Sequence, residues 1–303
     1  MSAAWLSVPE KGTLLGMRVL IALCGLAGRR ATRLVLRLVV LYYVVVHADV
    51  RRASRRWLRR VHGRAGGLGP VYRHVLRFAQ VALDRVFLLT GRTDLFTFTH
   101  VGREHLAALR ARGQGALLVG AHLGSFEAMR VLARDNGFRV HVLAHEANAR
   151  LVNALLRRLD PSGAVTLIEV GPDAAPAVFQ VQELIERGEL VALLGDRTGL
   201  SSRAAVVDFM GAPAALPTGP FALAAALGCP VHLTFALYRD PDRYELICEP
   251  FAERLDLPRQ GRDEALREVV ARFAARLEHH ARRAPDNWFN FYDFWALAPR
   301  SPA

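Results

Sequence analysis

Residues 115–127 read Gly-Ala-Leu-Leu-Val-Gly-Ala-His-Leu-Gly-Ser-Phe-Glu. Leu117, Leu118 and Val119 form the short unbroken apolar run of a central parallel strand, and Gly120 and Gly124 allow a sharp turn before a helix that begins near Phe126. His122 then falls at the carboxyl end of the strand, in the crevice where open α/β sheets place their ligands.

Spacing alone is a weak signal. With 11 His and 28 acidic residues, a His five positions before a carboxylate is expected about once by chance. The chain has two such pairs, His122/Glu127 and His141/Glu146, and only the first is framed by glycines. In a continuous helix the pair would be about 140° apart, so His122 must lie in the turn if Glu127 is to reach it. A carboxylate on one ring nitrogen fixes the tautomer and leaves the other as a general base. On these residues alone, a structural histidine capping the helix remains equally open.

After Asp94 the pattern alternates. Strands are expected near 96–101, 115–120, 139–144, 164–170, 190–195, 231–238 and 244–249, and helices near 103–112, 124–136, 148–159, 173–187, 217–227 and 263–283. This is an α/β fold: a mostly parallel sheet with helices on both faces. The last two strands, joined by a short polar turn with Pro241, are expected as an antiparallel edge hairpin. A chain of 303 residues, 52% hydrophobic, can bury one large core. The expected division is a basic helical membrane segment over 1–70 and a catalytic domain over 71–303.

Charge is uneven. Residues 1–92 carry 17 Arg or Lys against 3 acidic residues, and the remainder carries 23 against 25. The basic part is also the most apolar part, which suits an anionic membrane surface better than a nucleic-acid groove. A nucleic-acid binder, suggested by net charge alone, predicts salt-sensitive binding to DNA without lipid.

The apolar stretches 19–28 and 38–46 fall short of the roughly 20 residues that span a bilayer. Basic residues continue for some forty positions beyond, which argues against a secretory leader. Arg51, Arg55 and Arg59, with Arg52, Arg56 and Arg60, form two adjacent stripes at helical spacing, and Trp57 lies opposite as an aromatic anchor. All seven are expected to contact a membrane that the segment lies on rather than crosses; a solvated helix packed on the domain is the alternative. Cys24, Cys229 and Cys248 suit neither a disulfide framework nor a zinc site, so a reducing, cytoplasm-facing setting is expected with no metal or cofactor.

No nucleophile elbow, phosphate-binding loop, zinc-protease helix or dinucleotide fingerprint is present. A His and carboxylate without a protein nucleophile suggest direct transfer between two substrates. A second cluster, Leu-Leu-Gly-Asp-Arg-Thr-Gly at 193–199, puts Asp196 and Arg197 after another apolar strand, hence at the same sheet edge. Arg197 or Arg203 could clamp a phosphate or face an oxyanion, and an ordinary surface ion pair is the alternative for each.

His-Leu-Gly-Ser-Phe-Glu at 122–127, Gly-Asp-Arg at 195–197, Phe-Met-Gly-Ala-Pro-Ala at 209–214 and Pro-Thr-Gly-Pro-Phe-Ala-Leu-Ala at 217–224 together resemble the bacterial lipid A late acyltransferases, of the lysophospholipid and glycerol-phosphate acyltransferase superfamily. The resemblance implies an enzyme on the cytoplasmic face of the bacterial inner membrane. It would move a fatty acyl group from acyl carrier protein, or coenzyme A, to a hydroxyl of a lipid or glycolipid. His122 matches the general base, Glu127 the carboxylate orienting it, Asp196 the acid after the later strand and Arg203 the arginine before the Phe-x-Gly turn; Gly124, Arg150 and Arg197 complete the expected substrate contacts. Leu143 and Ala144 stand where the family commonly has a Tyr-Arg pair, so its phosphate-contacting arginine is absent or replaced by Arg150. An acidic carrier protein would meet Arg clusters such as Arg157 and Arg158. The aromatic end, Asn-Trp-Phe-Asn-Phe-Tyr-Asp-Phe-Trp at 287–295, looks more like acyltransferases found beside fatty-acid or polyene biosynthetic genes; acyl-channel lining, core packing and an interfacial belt are all open for it. The rival to an enzyme is an inactive membrane lipid-binding scaffold of the same fold.

Overall fold

The computed structural model describes residues 14–64, 66–129, 137–145, 165–171, 173–197 and 203–297. The expected helix at 148–159, Arg150, Arg157 and Arg158 lie outside them.

Three helices come first. Helix α1 (Leu14–Val46) breaks at Gly28, whose φ of 69° few other residues adopt cheaply. Helix α2 (Ala48–His62) has Asp49 in its first turn, Arg59, Arg60 and His62 in its last, and Gly63 left-handed after it, as the helix dipole and C-cap geometry favour. Helix α3 (Leu68–Leu89) packs along α1. There follow β1 (Thr97–Val101), α4 (Arg103–Ala111), β2 (Ala116–Gly120), a helix beginning at 126, β3 (Val140–His145), β4 (Val165–Val170), α5 (Ala175–Glu186), β5 (Leu190–Leu194), β6 (Ala204–Asp208), β7 (Pro213–Pro217), α6 (Gly219–Leu227), β8 (Val231–Arg239), β9 (Arg243–Ala252) and α7 (Arg262–Arg283).

Seven strands form one sheet in the order β1-β9-β8-β2-β5-β3-β4. Pairing is parallel throughout except for the antiparallel β8–β9 hairpin. That hairpin lies toward one edge of the sheet, with β1 added outside it. All five positions of β2 are buried, as a strand covered on both faces requires. From β2 the chain crosses to β3 on one side, whereas from β5 it returns to β8 on the other. The switch point of the topology therefore falls between β2 and β5.

The small β6–β7 sheet was not anticipated. Its turn is a two-residue type I′ geometry, with Met210 at φ 55° and Gly211 at φ 71°, closed by reciprocal backbone bonds between Phe209 and Ala212.

Buried residues of the front helices belong to the same hydrophobic core as those of the sheet. In α3, Asp84 is fully buried and accepts from Arg29 of α1 at 2.7 and 2.8 Å and from the Tyr244 hydroxyl at 3.0 Å. His74 of α3 bridges the Ser54 hydroxyl, at 2.9 Å, and the Trp288 carbonyl, at 2.8 Å. Trp57 corrects an expectation. Instead of an interfacial anchor, it is 1% exposed, donates to the Pro285 carbonyl at 2.7 Å and lies 4.4 Å from Trp288, centre to centre. Burying an indole in the core outweighs leaving it at a surface.

Arg51 donates to the last carbonyls of α1, Arg56 pairs with Asp293, and Arg60 stacks over Trp295. Arg52, Arg55 and Arg59 are exposed. Among the described residues no single helix is long and apolar enough to cross a membrane, although 25–46 together with 48–62, bent by 95°, pass that test as a pair.

Candidate active site

The site is assembled by register. Gly120 pairs with Leu194 at the ends of β2 and β5, so two residues further on His122 meets Asp196. Asp196 Oδ1 lies 2.7 Å from His122 Nδ1, while Oδ2 accepts the His122 backbone N–H at 3.0 Å. The pair sits at the switch point between β2 and β5.

Local geometry fixes the histidine. Gly124 has φ 78°, and a Cβ there would come within 1.8 Å of the Ala236 carbonyl oxygen, so only glycine brings the turn this close to β8. Ser125 then caps the following helix, its hydroxyl accepting from the Ala128 N–H at 3.2 Å.

Asp196 is fully buried, whereas a quarter of the His122 side chain is exposed. Burial pushes the Asp196 carboxyl up, but His122, Arg197 and Asn290 together more than reverse this and hold it at about 2. Burial and the Arg197 charge lower His122 below the ordinary histidine range, with Asp196 opposing. The imidazole is thus neutral at neutral pH. With Nδ1 donating to Asp196, Nε2 is an acceptor, and no side chain among the described residues bonds it.

Glu127, expected on His122, pairs instead with Arg85 of α3 at 2.5 Å. The physical reason is that β5, inserted beside β2, brings in a carboxylate already aligned with the ring, while Glu127 lies inside the helix and meets the cation α3 presents. Arg197 donates to Asn290 Oδ1 at 2.7 Å and to the Phe289 carbonyl at 3.0 Å, and its guanidinium lies 5.8 Å from the Tyr292 ring centre. Arg203 is exposed, and its carbonyl accepts from the Thr218 N–H and hydroxyl.

Trp288 and Asn290 were missed as site residues. Their side chains donate to Asp196 Oδ2 at 3.2 and 2.8 Å. The aromatic density at 287–295 was the available signal, and of the three readings open for it core packing fits Trp288, Phe289 and Phe294, all buried; none of the three concerned its polar atoms. Among the described residues no cluster of His, Cys, Asp and Glu could hold a metal.

In class, this is an α/β sheet whose switch-point crevice holds a partly exposed histidine paired with a buried aspartate, an arrangement able to exchange protons with a bound molecule. The family model for bacterial lipid A biosynthesis acyltransferases matches residues 89–296, well over half the chain. The protein belongs to that family and is an acyltransferase, with an acyl donor and a lipid acceptor. No curated protein matches the chain.

Proposed function

We propose that the protein transfers a fatty acyl chain from an acyl thioester, carried by acyl carrier protein or coenzyme A, to a hydroxyl of a lipid or glycolipid, working on the cytoplasmic face of the bacterial inner membrane. The observation that carries this reading is His122, aligned through Nδ1 by a buried carboxylate while Nε2 is open at the crevice. Nε2 takes the proton of the acceptor hydroxyl as its oxygen attacks the thioester carbonyl. The tetrahedral intermediate collapses to the ester, and the departing thiolate receives the proton from His122. Asp196, rather than Glu127, stabilises the imidazolium formed between these steps. Backbone amides at the start of the helix that follows the turn, or Arg197, meet the oxyanion, and Glu127 with Arg85 shapes the approach.

Membrane contact is supported by α1 more than by the α2 arginines. Leu34, Leu38, Leu41, Tyr42 and Val45 are each more than half exposed and lie on one face, a contiguous apolar surface unusual for a protein that only meets water. The exposed Arg52, Arg55 and Arg59 would add attraction to anionic lipid.

The test is to incubate purified protein with acyl carrier protein loaded with several chain lengths and a bacterial lipid extract, and to identify products by mass spectrometry. Acceptor-dependent ester is expected from the wild type and none from His122→Ala. Equal product from both would defeat the mechanism, and thioester cleavage without an acylated acceptor would point to a hydrolase.

A further inference from the structure

The segment after α7 returns to the catalytic turn. Gly124 N–H donates to the Asn287 carbonyl at 2.8 Å and Phe289 N–H to the His122 carbonyl at 2.7 Å, so residues 287–289 lie antiparallel to 122–124 as a short added strand. Asn287 fastens it to β8, accepting from Tyr238 N–H at 2.7 Å and donating to the Tyr238 carbonyl at 3.3 Å.

Two side chains of this segment reach past the backbone to the dyad. Asp196 Oδ2 gathers three donors: the His122 N–H, the Trp288 indole and the Asn290 amide. Oδ1 receives the imidazole. Asn290 turns its other end to Arg197, accepting from Nε at 2.7 Å. Only an amide of this length donates to the carboxylate while accepting from the guanidinium; an aspartate would face Asp196 with a second anion, and a serine would reach one partner at most. Trp288 and Asn290 are 0% and 2% exposed, so neither polar group is there for solvation. A purely structural core would do as well or better with the whole network, Asp196 and Arg197 included, replaced by apolar side chains.

We propose that Trp288 and Asn290 are positioning residues of the active site, which hold the Asp196 carboxylate and the Arg197 guanidinium so that Oδ1 is directed at the His122 ring and Nε2 opens to the crevice. The proposal rests on His122 being the base. Its distinct content is that the chain's end, remote in sequence from the histidine motif, sets the ring's orientation and basicity. Each donor withdrawn from Oδ2 leaves more negative charge to stabilise the imidazolium, so its loss raises the affinity of His122 for a proton. The base would then be more often blocked and less well aimed.

Three variants separate these roles. Trp288→Phe keeps an aromatic ring in the stack and removes the N–H; Asn290→Asp keeps the acceptor for Arg197 and replaces the donor by a carboxylate; Asn290→Ala removes both. The His122 titration is followed by NMR in protein with isotopically labelled histidine, its signal identified by its loss in His122→Ala. kcat and KM are measured with an acyl carrier protein thioester and the lipid acceptor identified by product analysis. The titration should move to higher pH in all three variants, most in Asn290→Asp and least in Trp288→Phe. kcat should fall about tenfold, against the ~10²–10⁴-fold lost with a general base itself, with KM nearly unchanged. A wild-type titration in both Trp288→Phe and Asn290→Asp would overturn the proposal, as would kcat losses that merely follow the unfolding midpoint. Because the titration is read without turnover, the two failures are distinguishable: full transfer by His122→Ala sinks the base assignment and the proposal with it, whereas unshifted titrations in Trp288→Phe and Asn290→Asp overturn the positioning role alone.

Discussion

At the scale of the residue, the proposed chemistry rests on one imidazole and the carboxylate behind it. His122 is held below the ordinary histidine range by burial and by Arg197, so it remains a free base at pH values where an exposed histidine, with a pKa near ~6.5, is already protonated. The acid limb of kcat/KM is therefore expected below about pH 6.5, and a pH-rate profile checks it. Gly124→Ala would combine a positive φ with a Cβ 1.8 Å from a carbonyl oxygen; a loss of at least about 2 kcal/mol is expected in denaturant unfolding. His122 itself was legible because an apolar strand running into a glycine-flanked histidine is a local pattern. Its partner was legible only as far as the shared sheet edge, to which two apolar strands running into His122 and Asp196 both point, and not as the group bonded to the ring. Glu127 is the carboxylate that a spacing argument sees, whereas Asp196 becomes a neighbour only when β5 inserts beside β2, 74 positions later in the chain.

Among the elements, α2 and the β6–β7 hairpin best show where pattern and packing part. The arginine periodicity of α2 and the opposing Trp57 are real, but the structure turns the tryptophan face into the core, and Arg51, Arg56 and Arg60 are taken up in contacts with α1, Asp293 and Trp295. Amphipathicity identifies an apolar face without saying what covers it. Trp57→Ala is accordingly expected to cost about 3–5 kcal/mol in stability, a loss that an anchor touching only lipid would not produce in detergent-free unfolding. The β6–β7 hairpin escaped because its left-handed turn positions hold Met210 and Gly211 instead of the Asn-Gly or Asp-Gly that advertises such a turn. The contact of α2 and α3 with the chain's end also makes stability depend on pH. Burial lowers His74 to about 4, below its unfolded value near ~6.5. Its contribution is therefore complete above about pH 6.5 and is lost as pH falls toward 4, worth up to about 3 kcal/mol. Unfolding midpoints at pH 7 and pH 5 should differ in that direction, and less so in His74→Phe.

For the whole molecule, the α/β class and most strand positions were readable from alternating periodicity, while the strand order, with β5 between β2 and β3 and β1 outside the hairpin, depends on crossovers that local sequence does not encode. The uneven charge and apolar front belong at this scale as well. Paired Leu38→Asp and Tyr42→Asp substitutions, on the exposed face of α1, should weaken co-sedimentation with phosphatidylglycerol vesicles at every salt concentration, and replacing Arg52, Arg55 and Arg59 by Gln should remove mainly the salt-sensitive part. The central claim is that the sheet's switch point brings together a histidine base and its carboxylate from two different strands. It is tested most directly by kcat/KM for acyl transfer in Asp196→Asn and Glu127→Gln, each compared with His122→Ala. Asp196→Asn is expected to lose at least about 10²-fold, approaching His122→Ala, with Glu127→Gln losing clearly less. Near wild-type transfer by Asp196→Asn, with Glu127→Gln as impaired as the histidine variant, would contradict the account.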